Sequence, residues 1–396
     1  MEGRSGELGA IFSCPGSDQR AALLEQAQTS DARDYIHGFL RRRADELERR
    51  SSGVTAMLER VLDGPAPRGL GLAFPWQSVI ASFSADEPDA ALVGAKIAGH
   101  LYGCGQRATW AARFARPRAL RIDRCITPKV VALEVEGDSI ELETTTGSLR
   151  TNLAHGEGLR ALGLVQISAE EKIWVAGAED DDALSLNHEY PFTQAPLEHR
   201  VQELAAAVQL TREVAPEYVP WFAGAIRIVA SLEGVGGSGS LRSSSPQAER
   251  GVVYISSPLE VCRVAESLIH EASHQHFQAL HTAAELMVAS AEERVYMSPY
   301  KHENRTIDRI LFAAHAFANV IAFYERALRV VKDEAVIMRA EQALALHRHN
   351  HVIQKKYLEE SDELTEAGRA LYRTIDATLE PWDNSMHSGG RAWRTA

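Results

Sequence analysis

The spacing of apolar residues along the chain changes near Arg121. Before that point, apolar residues recur every three or four positions between charged ones, which is typical of amphipathic helices. This spacing predicts a helical hairpin over residues 18–62 and a more apolar helical segment over residues 76–115. The Gly- and Pro-rich residues 63–71 separate the two segments, because such clusters end helices.

Beyond Arg121, apolar and polar residues alternate, which is typical of half-buried strands. Residues 129–147 alternate about Glu136-Gly137-Asp138 and predict an antiparallel hairpin. The elements predicted after it are a strand at 172–178, a helix at 195–214, a strand at 224–232 and a strand at 251–256. The Gly- and Ser-rich residues 233–247 predict a mobile loop, since neither a G-K-S/T sequence nor a Rossmann helix follows them.

The stretch that follows the last predicted strand combines a helix start with a chemical motif. Ser257-Pro258-Leu259-Glu260 has the pattern of a capping box with proline at the first helical position. Apolar residues behind it recur on one helical side. The motif H-E-x-x-H, formed by His270, Glu271 and His274, is therefore expected in the second half of a capped, buried helix.

The C-terminal part of the chain reads as two further helical regions. After a break at residues 296–305, residues 306–331 are mostly apolar and residues 334–379 are amphipathic. The fold is predicted to be α+β and predominantly helical, with a zincin-like HExxH helix packed with a small antiparallel sheet. Three regions are predicted, which can form one compact unit: an N-terminal helical region over 1–120, a mixed region with antiparallel strands over 121–250, and an HExxH metal-binding catalytic region over 251–396.

Composition and charge exclude some classes of function. The chain is 45% hydrophobic and carries a net charge of −12, which argues against nucleic acid as a partner. The N-terminus lacks the basic and apolar regions of a signal peptide, and no apolar run is long enough for a membrane helix, so a cytoplasmic enzyme without a membrane partner is expected. The four cysteines lie far apart and are predicted to be reduced thiols: Cys14, Cys104, Cys125 and Cys262.

The two histidines of H-E-x-x-H predict a transition-metal site. Residues four positions apart project from the same helical face, so His270 and His274 can share one cation. Neutral imidazole binds Zn²⁺ and Fe²⁺ alike, so the motif does not select the metal. On zinc, Glu271 could deprotonate a bound water, which would give peptide hydrolysis.

The third ligand separates the possible chemistries. His315 is favoured, because it is a lone histidine within an almost wholly apolar helix. A metzincin is excluded, since Phe277 and Leu280 occupy the positions of its glycine and third histidine. Other positions are weaker candidates: Glu303 and Glu325 are possible gluzincin ligands, Glu292 and Glu293 lie slightly too close in sequence, His302 is a weaker ligand alternative, and His276 and His281 are expected to be surface or supporting groups.

Two arginines beside the His315 helix could bind a carboxylate. Arg305 and Arg309 lie at the entry to this helix, and arginine is the usual bidentate partner of a carboxylate. With three histidine ligands, Fe²⁺ keeps open positions that could accept a 2-oxo acid and O₂. The alternative is that both arginines lie on the surface at a helix N-terminus, where the helix dipole disfavours a cation.

Residues 251–329 resemble a known family of enzymes. The run SLIHEASHQHFQAL, followed by YMSPYKHENR and the apolar helix, is similar to the HExxH-motif domain of enzymes that modify ribosomally synthesised peptides. The positions that match are the H-E-x-x-H residues, Ser298-Pro299-Tyr300, Lys301 and Arg305; Thr306 stands where the family has proline.

This resemblance implies an oxygenase rather than a peptidase. Similar enzymes depend on Fe(II), 2-oxoglutarate and O₂, and hydroxylate the β-carbon of a side chain in a ribosomal precursor peptide. The resemblance implies His270 and His274 as metal ligands, and His315 is the third ligand favoured above. Arg305 or Arg309, together with Lys301, is then expected to bind the 2-oxoglutarate. Glu271 is then expected to orient a ligand or a water. A zinc metallopeptidase that uses Glu271 as general base is the alternative.

Overall fold

The structure is a computed structural model. It describes residues 9–10, 12–15, 45, 48–49, 51–63, 90–103, 106–122, 125–153, 157–169, 171–177, 193–233, 243–246, 251–288 and 295–379. The chain divides into two compact units, one made of Pro15–Ala284 and the other of Met1–Cys14 with Glu285–Ala396. The predicted three-region division is a different partition and stays a prediction.

The unit Pro15–Ala284 contains five described helices and twelve described strands. The helices are α1 (Val54–Asp63), α2 (Ala90–Gly103), α3 (Leu197–Val214), α4 (Tyr218–Ala225) and α5 (Val261–Ala283). The strands are β1 (Ala108–Arg118), β2 (Arg121–Ile122), β3 (Cys125–Ile126), β4 (Val130–Gly137), β5 (Ser139–Thr144), β6 (Gly147–Asn152), β7 (Arg160–Ala161), β8 (Gly163–Gln166), β9 (Lys172–Ala176), β10 (Ile228–Glu233), β11 (Ser243–Ser244) and β12 (Val252–Ser257).

One sheet of this unit is antiparallel, in the order β1-β4-β5-β6. The predicted hairpin about Gly137 is confirmed, and Gly137 has a φ of +61°, a conformation that glycine adopts without strain. The inward face of the sheet packs with α1 and α2 into one hydrophobic core. Gly94 of α2 lies against Trp110, since a Cβ there would come within 2.4 Å of the indole. The strands β2, β3 and β7 form a small separate sheet.

The second large sheet of the unit has the order β11-β12-β10-β9-β8. Its three inner strands run parallel, and the two outer strands pair antiparallel to them. The inner strands are buried almost throughout, as expected for parallel strands covered on both faces. Helix α5, which carries the H-E-x-x-H motif, packs against α3 and α4 and contacts β11 and β12.

The other unit is mainly helical in its described part. It contains α6 (Ile307–Val330), α7 (Glu334–Glu360) and α8 (Glu366–Asp376), with a hairpin of β13 (Tyr296–Met297) and β14 (Asn304–Arg305). Helix α6 packs closely against both α7 and α8. The N-terminal segment belongs here too: Phe12 is buried, and a Cβ on Gly9 would clash with the carbonyl oxygen of Ala367.

The coarse fold prediction is confirmed, because the chain is a mixed α+β protein, about half helical, with antiparallel sheets. The helix predicted over 76–115 is wrong at its end: residues from Ala108 onward form β1. Trp110, Ala112 and Phe114 alternate with more exposed neighbours, a period of two that the sequence already contains. Most of the helical hairpin predicted over 18–62 lies outside the described residues.

The strands predicted at 224–232 and 251–256 are β10 and β12, of which β10 begins at Ile228, and both lie inside their sheet. The loop predicted over 233–247 needs one correction. The Gly- and Ser-rich segment predicted as a loop contains the short edge strand β11, while most of its other residues lie outside the described part.

Helix α6 is long and apolar enough, by length and composition alone, to cross a membrane. Its most apolar window has a mean hydropathy of 1.3 and is 72% buried inside the protein. The core helix of a soluble domain has the same properties, and the contacts of α6 with α7 and α8 account for its apolar surface. The cytoplasmic location stays a prediction.

Candidate metal site

Helix α5 begins later than the sequence pattern suggests, and it has no capping box. Its N-cap residue is Glu260, whose side chain makes no capping hydrogen bond. The Ser257 hydroxyl instead donates to Oε2 of Glu203 on α3, at 2.6 Å, and the Leu259 amide donates to the other oxygen of the same carboxylate. A side chain of a neighbouring helix therefore satisfies the groups that the local pattern assigned to the cap.

His270 and His274 lie side by side near the middle of α5. Their ring centroids are 4.4 Å apart and the rings meet edge to face. Both side chains are partly exposed, whereas Ile269, Ala272 and Ser273 beside them are fully buried. Two partly exposed imidazoles on one helical face are ligands of the type that a transition metal binds.

Glu271 differs from the two histidines because it is buried. Its side chain is 1% exposed, and it accepts hydrogen bonds from the hydroxyls of Ser245 and Ser243. Burial raises the pKa of the Glu271 carboxyl to about 7, and the two serine hydrogen bonds partly offset that rise. The carboxylate thus faces the strand β11 segment rather than open solvent.

The neighbouring histidines of α5 have separate environments. His276 was expected at the surface or in a supporting position, but it is buried and stacks on Trp221 at a centroid distance of 3.6 Å. Its Nε2 lies 3.1 Å from the carbonyl oxygen of Trp221, so the ring helps to join α5 to α4. His281 is exposed near the end of α5, as expected.

His315 occupies the centre of α6 in the other unit. It is fully buried, and its Nε2 lies 2.8 Å from the carbonyl oxygen of Ser13. The Asn319 amide donates to the same oxygen at 3.1 Å. These are the contacts of a core histidine that satisfies a backbone group, and its assignment as a metal ligand stays a prediction.

The cations predicted to bind 2-oxoglutarate make local contacts within their own unit. Nε of Arg305 donates to Oε1 of Glu303 at 2.8 Å, and Nε of Arg309 lies 3.5 Å from Oδ2 of Asp308. Lys301 is exposed. In the described structure both guanidinium groups thus have carboxylate partners, with which a carboxylate co-substrate would compete.

The remaining candidate ligands are also engaged or exposed. Glu325 forms a buried ion pair with Arg348 on α7, and His302 is exposed with a φ of +54°. Glu292 and Glu293 lie outside the described residues. Within the described part of the chain, no three His, Cys, Asp or Glu side chains group closely enough to hold one metal ion.

The donor set present fits a metal ion in part. His270 and His274 would supply two ligands through their imidazole nitrogens, and the open coordination positions would be filled by water, substrate or a further residue. The cations predicted to bind 2-oxoglutarate, Arg305, Arg309 and Lys301, belong to the other unit, and their role stays a prediction. Ser243 and Ser245 are the contacts that sequence reasoning missed, and only the run of serines in residues 243–245 marked them.

No protein-family model matches the chain, and no curated protein matches it.

Proposed function

We propose that this protein is an iron(II)- and 2-oxoglutarate-dependent oxygenase that hydroxylates the β-carbon of a side chain in a ribosomally made precursor peptide. The observation that supports it most is the His270–His274 pair, two partly exposed imidazoles 4.4 Å apart on a helix that is otherwise largely buried. The resemblance of residues 251–329 to peptide-modifying HExxH enzymes supplies the reaction class.

The environment of Glu271 favours the oxygenase over the peptidase. A general base for hydrolysis must reach a water in the open position of the metal. The Glu271 side chain is 1% exposed and is occupied by hydroxyl donors. A carboxylate held in this way is better suited to orienting its surroundings than to exchanging protons with a substrate.

Each residue then has a limited task. His270 and His274 hold the metal through neutral imidazole nitrogens, and their partial exposure leaves room for substrate beside them. Iron, when bound, supplies the oxygen chemistry that side chains lack. Arg305, Arg309 and Lys301 remain the proposed partners of the 2-oxoglutarate carboxylate, and Glu303 must release Arg305 for that role. His315 remains the proposed third ligand.

A zinc metallopeptidase is the second candidate, and one observation favours it. The pKa of Glu271 is raised to about 7 by burial, which is the range that suits a general base at neutral pH. In this case Glu271 would have to turn from the serines toward the metal.

Anaerobic titration with Fe²⁺ and then 2-oxoglutarate tests the proposal. We expect a visible metal-to-ligand charge-transfer band to develop when both are present, and to be absent in His270→Ala. His281→Ala, an exposed histidine on the same helix, is the matched control and should keep the band. Tight Zn²⁺ binding without any such band would contradict the oxygenase proposal.

Glu271→Gln separates the two candidates in a second way. The amide retains the size and accepting oxygen of the carboxylate but cannot act as a base. We expect the variant to retain substantial hydroxylation of a precursor peptide encoded beside the gene. Near-complete loss of a zinc-dependent peptide cleavage would instead support the peptidase.

A further inference from the structure

A polar stripe on α5 holds the segment that contains β11. Glu271, Gln275 and Gln278 lie at intervals of four and three residues, so they share one helical face. The face that carries His270 and His274 is about a quarter of a turn away, from the helical repeat of 3.6 residues. The H-E-x-x-H glutamate is thus the first residue of a second, adjacent stripe.

Each member of the stripe contacts the chain between β11 and β12. Glu271 accepts from Ser245, and the Gln278 amide donates to the carbonyl oxygen of Ser245 at 3.3 Å. The Gly251 amide donates to Oε1 of Gln275 at 3.2 Å. Ser245 is therefore held from two positions of the helix that lie about two turns apart, Glu271 and Gln278.

Ser245 contacts both the side chain and the main chain of Glu271. The Ser245 hydroxyl lies within hydrogen-bond distance of the Glu271 carboxylate and, at 3.2 Å, of the Glu271 carbonyl oxygen. The Ser243 hydroxyl also bonds the carboxylate. Strand β11 is itself held in register by antiparallel pairing with β12, Ser243 opposite Ile255 and Ser244 opposite Tyr254.

We propose that Ser245, assisted by Ser243, is a positioning residue that fixes the Glu271 carboxylate and thereby makes edge strand β11 part of the metal site. The inference rests on the proposed function, because it assumes that His270 and His274 bind a metal. A buried carboxylate with two hydroxyl donors has one favoured orientation. Because the Ser245 hydroxyl also contacts the main-chain carbonyl oxygen of Glu271, which lies between the two histidines in the sequence, its removal is expected to loosen the backbone that places them.

Cobalt(II) binding to the full chain, measured by calorimetry and by the visible Co²⁺ spectrum, tests this without any catalytic assay. We expect Ser245→Ala to weaken Co²⁺ affinity about tenfold, the lower end of the range for groups that orient metal ligands. Ser244→Ala is the matched control, because Ser244 is exposed and directly precedes Ser245. It should change the affinity less than about twofold, within the scatter of surface substitutions.

Two further experiments distinguish a positioning role of Ser245 from a role in stabilising the fold: rescue by a conservative variant, and a double-mutant cycle with Glu271. Ser245→Thr keeps the hydroxyl and should restore Co²⁺ affinity to within about threefold of wild type. In a Glu271→Ala background, Ser245→Ala should have almost no further effect, because two residues that act through one contact are not additive. The free energy of unfolding, measured alongside, shows whether a variant has lost its fold.

The outcomes separate this inference from the proposed function. If wild type binds Co²⁺, His270→Ala abolishes binding and Ser245→Ala leaves it unchanged, the positioning role is wrong and the metal site stands. Full additivity of Ser245→Ala and Glu271→Ala also overturns the positioning role. If wild type binds no Co²⁺, the proposed function and the inference fail together.

Discussion

Helices α5 and α6 are similar in length and both are largely buried, yet the exposure of their histidine side chains differs. Helix α5 has 23 residues and presents His270 and His274 as a partly exposed pair. Helix α6 has 24 residues and buries His315 completely, with Nε2 against a backbone carbonyl. The same residue type is thus partly exposed in one helix and fully buried in the other.

A buried imidazole in an apolar helix can have either a metal ion or a group of the protein as its partner. The lone His315 in an apolar helix drew attention as a ligand because a buried imidazole needs a partner. The structure supplies that partner from Ser13, a residue 302 positions away in the sequence. The i, i+4 pair on α5 carries a more specific signal, since it depends on local geometry alone.

The largest change in the free energy of unfolding is expected at the contact between helices α6 and α7. Arg348 and Glu325 form an ion pair with side chains 5% and 10% exposed. Arg348→Met leaves the Glu325 charge buried without this partner, so we expect a loss of about 3–5 kcal/mol in the free energy of unfolding. Urea denaturation measures it.

Two further variants serve as the control and the rescue for this measurement. Lys356→Met, at an exposed position of the same helix, should change stability by less than about 0.5 kcal/mol. Adding Glu325→Leu to Arg348→Met should recover most of the loss, because the lone charge is then removed. If Arg348→Met were as stable as wild type, the ion pair between Arg348 and Glu325 would not contribute to the stability of this unit.

The next effect concerns the histidine pair of α5. His270→Ala and His274→Ala should each weaken Co²⁺ affinity by about 100-fold or more, beyond the range for groups outside the ligand set. Their free energy of unfolding without metal should change little, since both side chains are partly exposed. If both variants kept tight Co²⁺ binding, His270 and His274 would not be metal ligands.

The buried carboxylate of α5 gives a pH-dependent prediction. Glu271 has an ordinary pKa of 4.5 when exposed and about 7 in the fold, so the native state holds the proton more tightly than the unfolded state. Stability from this group is complete below pH 4.5 and is lost as pH rises to about 7. At 1.36 kcal/mol per pKa unit, the loss is at most about 3 kcal/mol.

Glu271→Gln removes that dependence. In metal-free protein, the stability of Glu271→Gln relative to wild type should increase from pH 4.5 to pH 7, as measured by urea denaturation at each pH. Glu260→Gln, at the exposed start of the same helix, is the control and should run parallel to wild type. Parallel curves for Glu271→Gln would mean that the carboxyl is not buried as described.

The smallest change in stability is expected for His315, and the same variant distinguishes its structural role from a role as metal ligand. His315→Ala should lower the free energy of unfolding by about 2 kcal/mol, because the Ser13 carbonyl loses a partner in the core. Co²⁺ affinity should be unchanged if the residue is purely structural. A loss of affinity as large as that of His274→Ala would instead establish His315 as the third ligand. His349→Ala, exposed on α7, controls for removal of an imidazole.

Elements with a strong local period could be predicted from the sequence. The hairpin about Gly137, strand β9, helix α3 and helix α6 lie where the alternation or helical spacing placed them. Strand β1 was missed because its alanines and arginines favour helix, although Trp110 and Phe114 follow a period of two. There, burial against α1 and α2 outweighed the local preference.

The sequence by itself determined the helix that carries H-E-x-x-H and the placement of two histidines on one face of it, because both depend on a repeat of 3.6 residues. Tertiary structure decided which partner each polar group finds. Ser257 bonds Glu203 rather than capping α5, His315 bonds Ser13, and Glu271 bonds Ser245. These partners lie 54, 302 and 26 positions apart, and no local period links groups that the fold alone brings together.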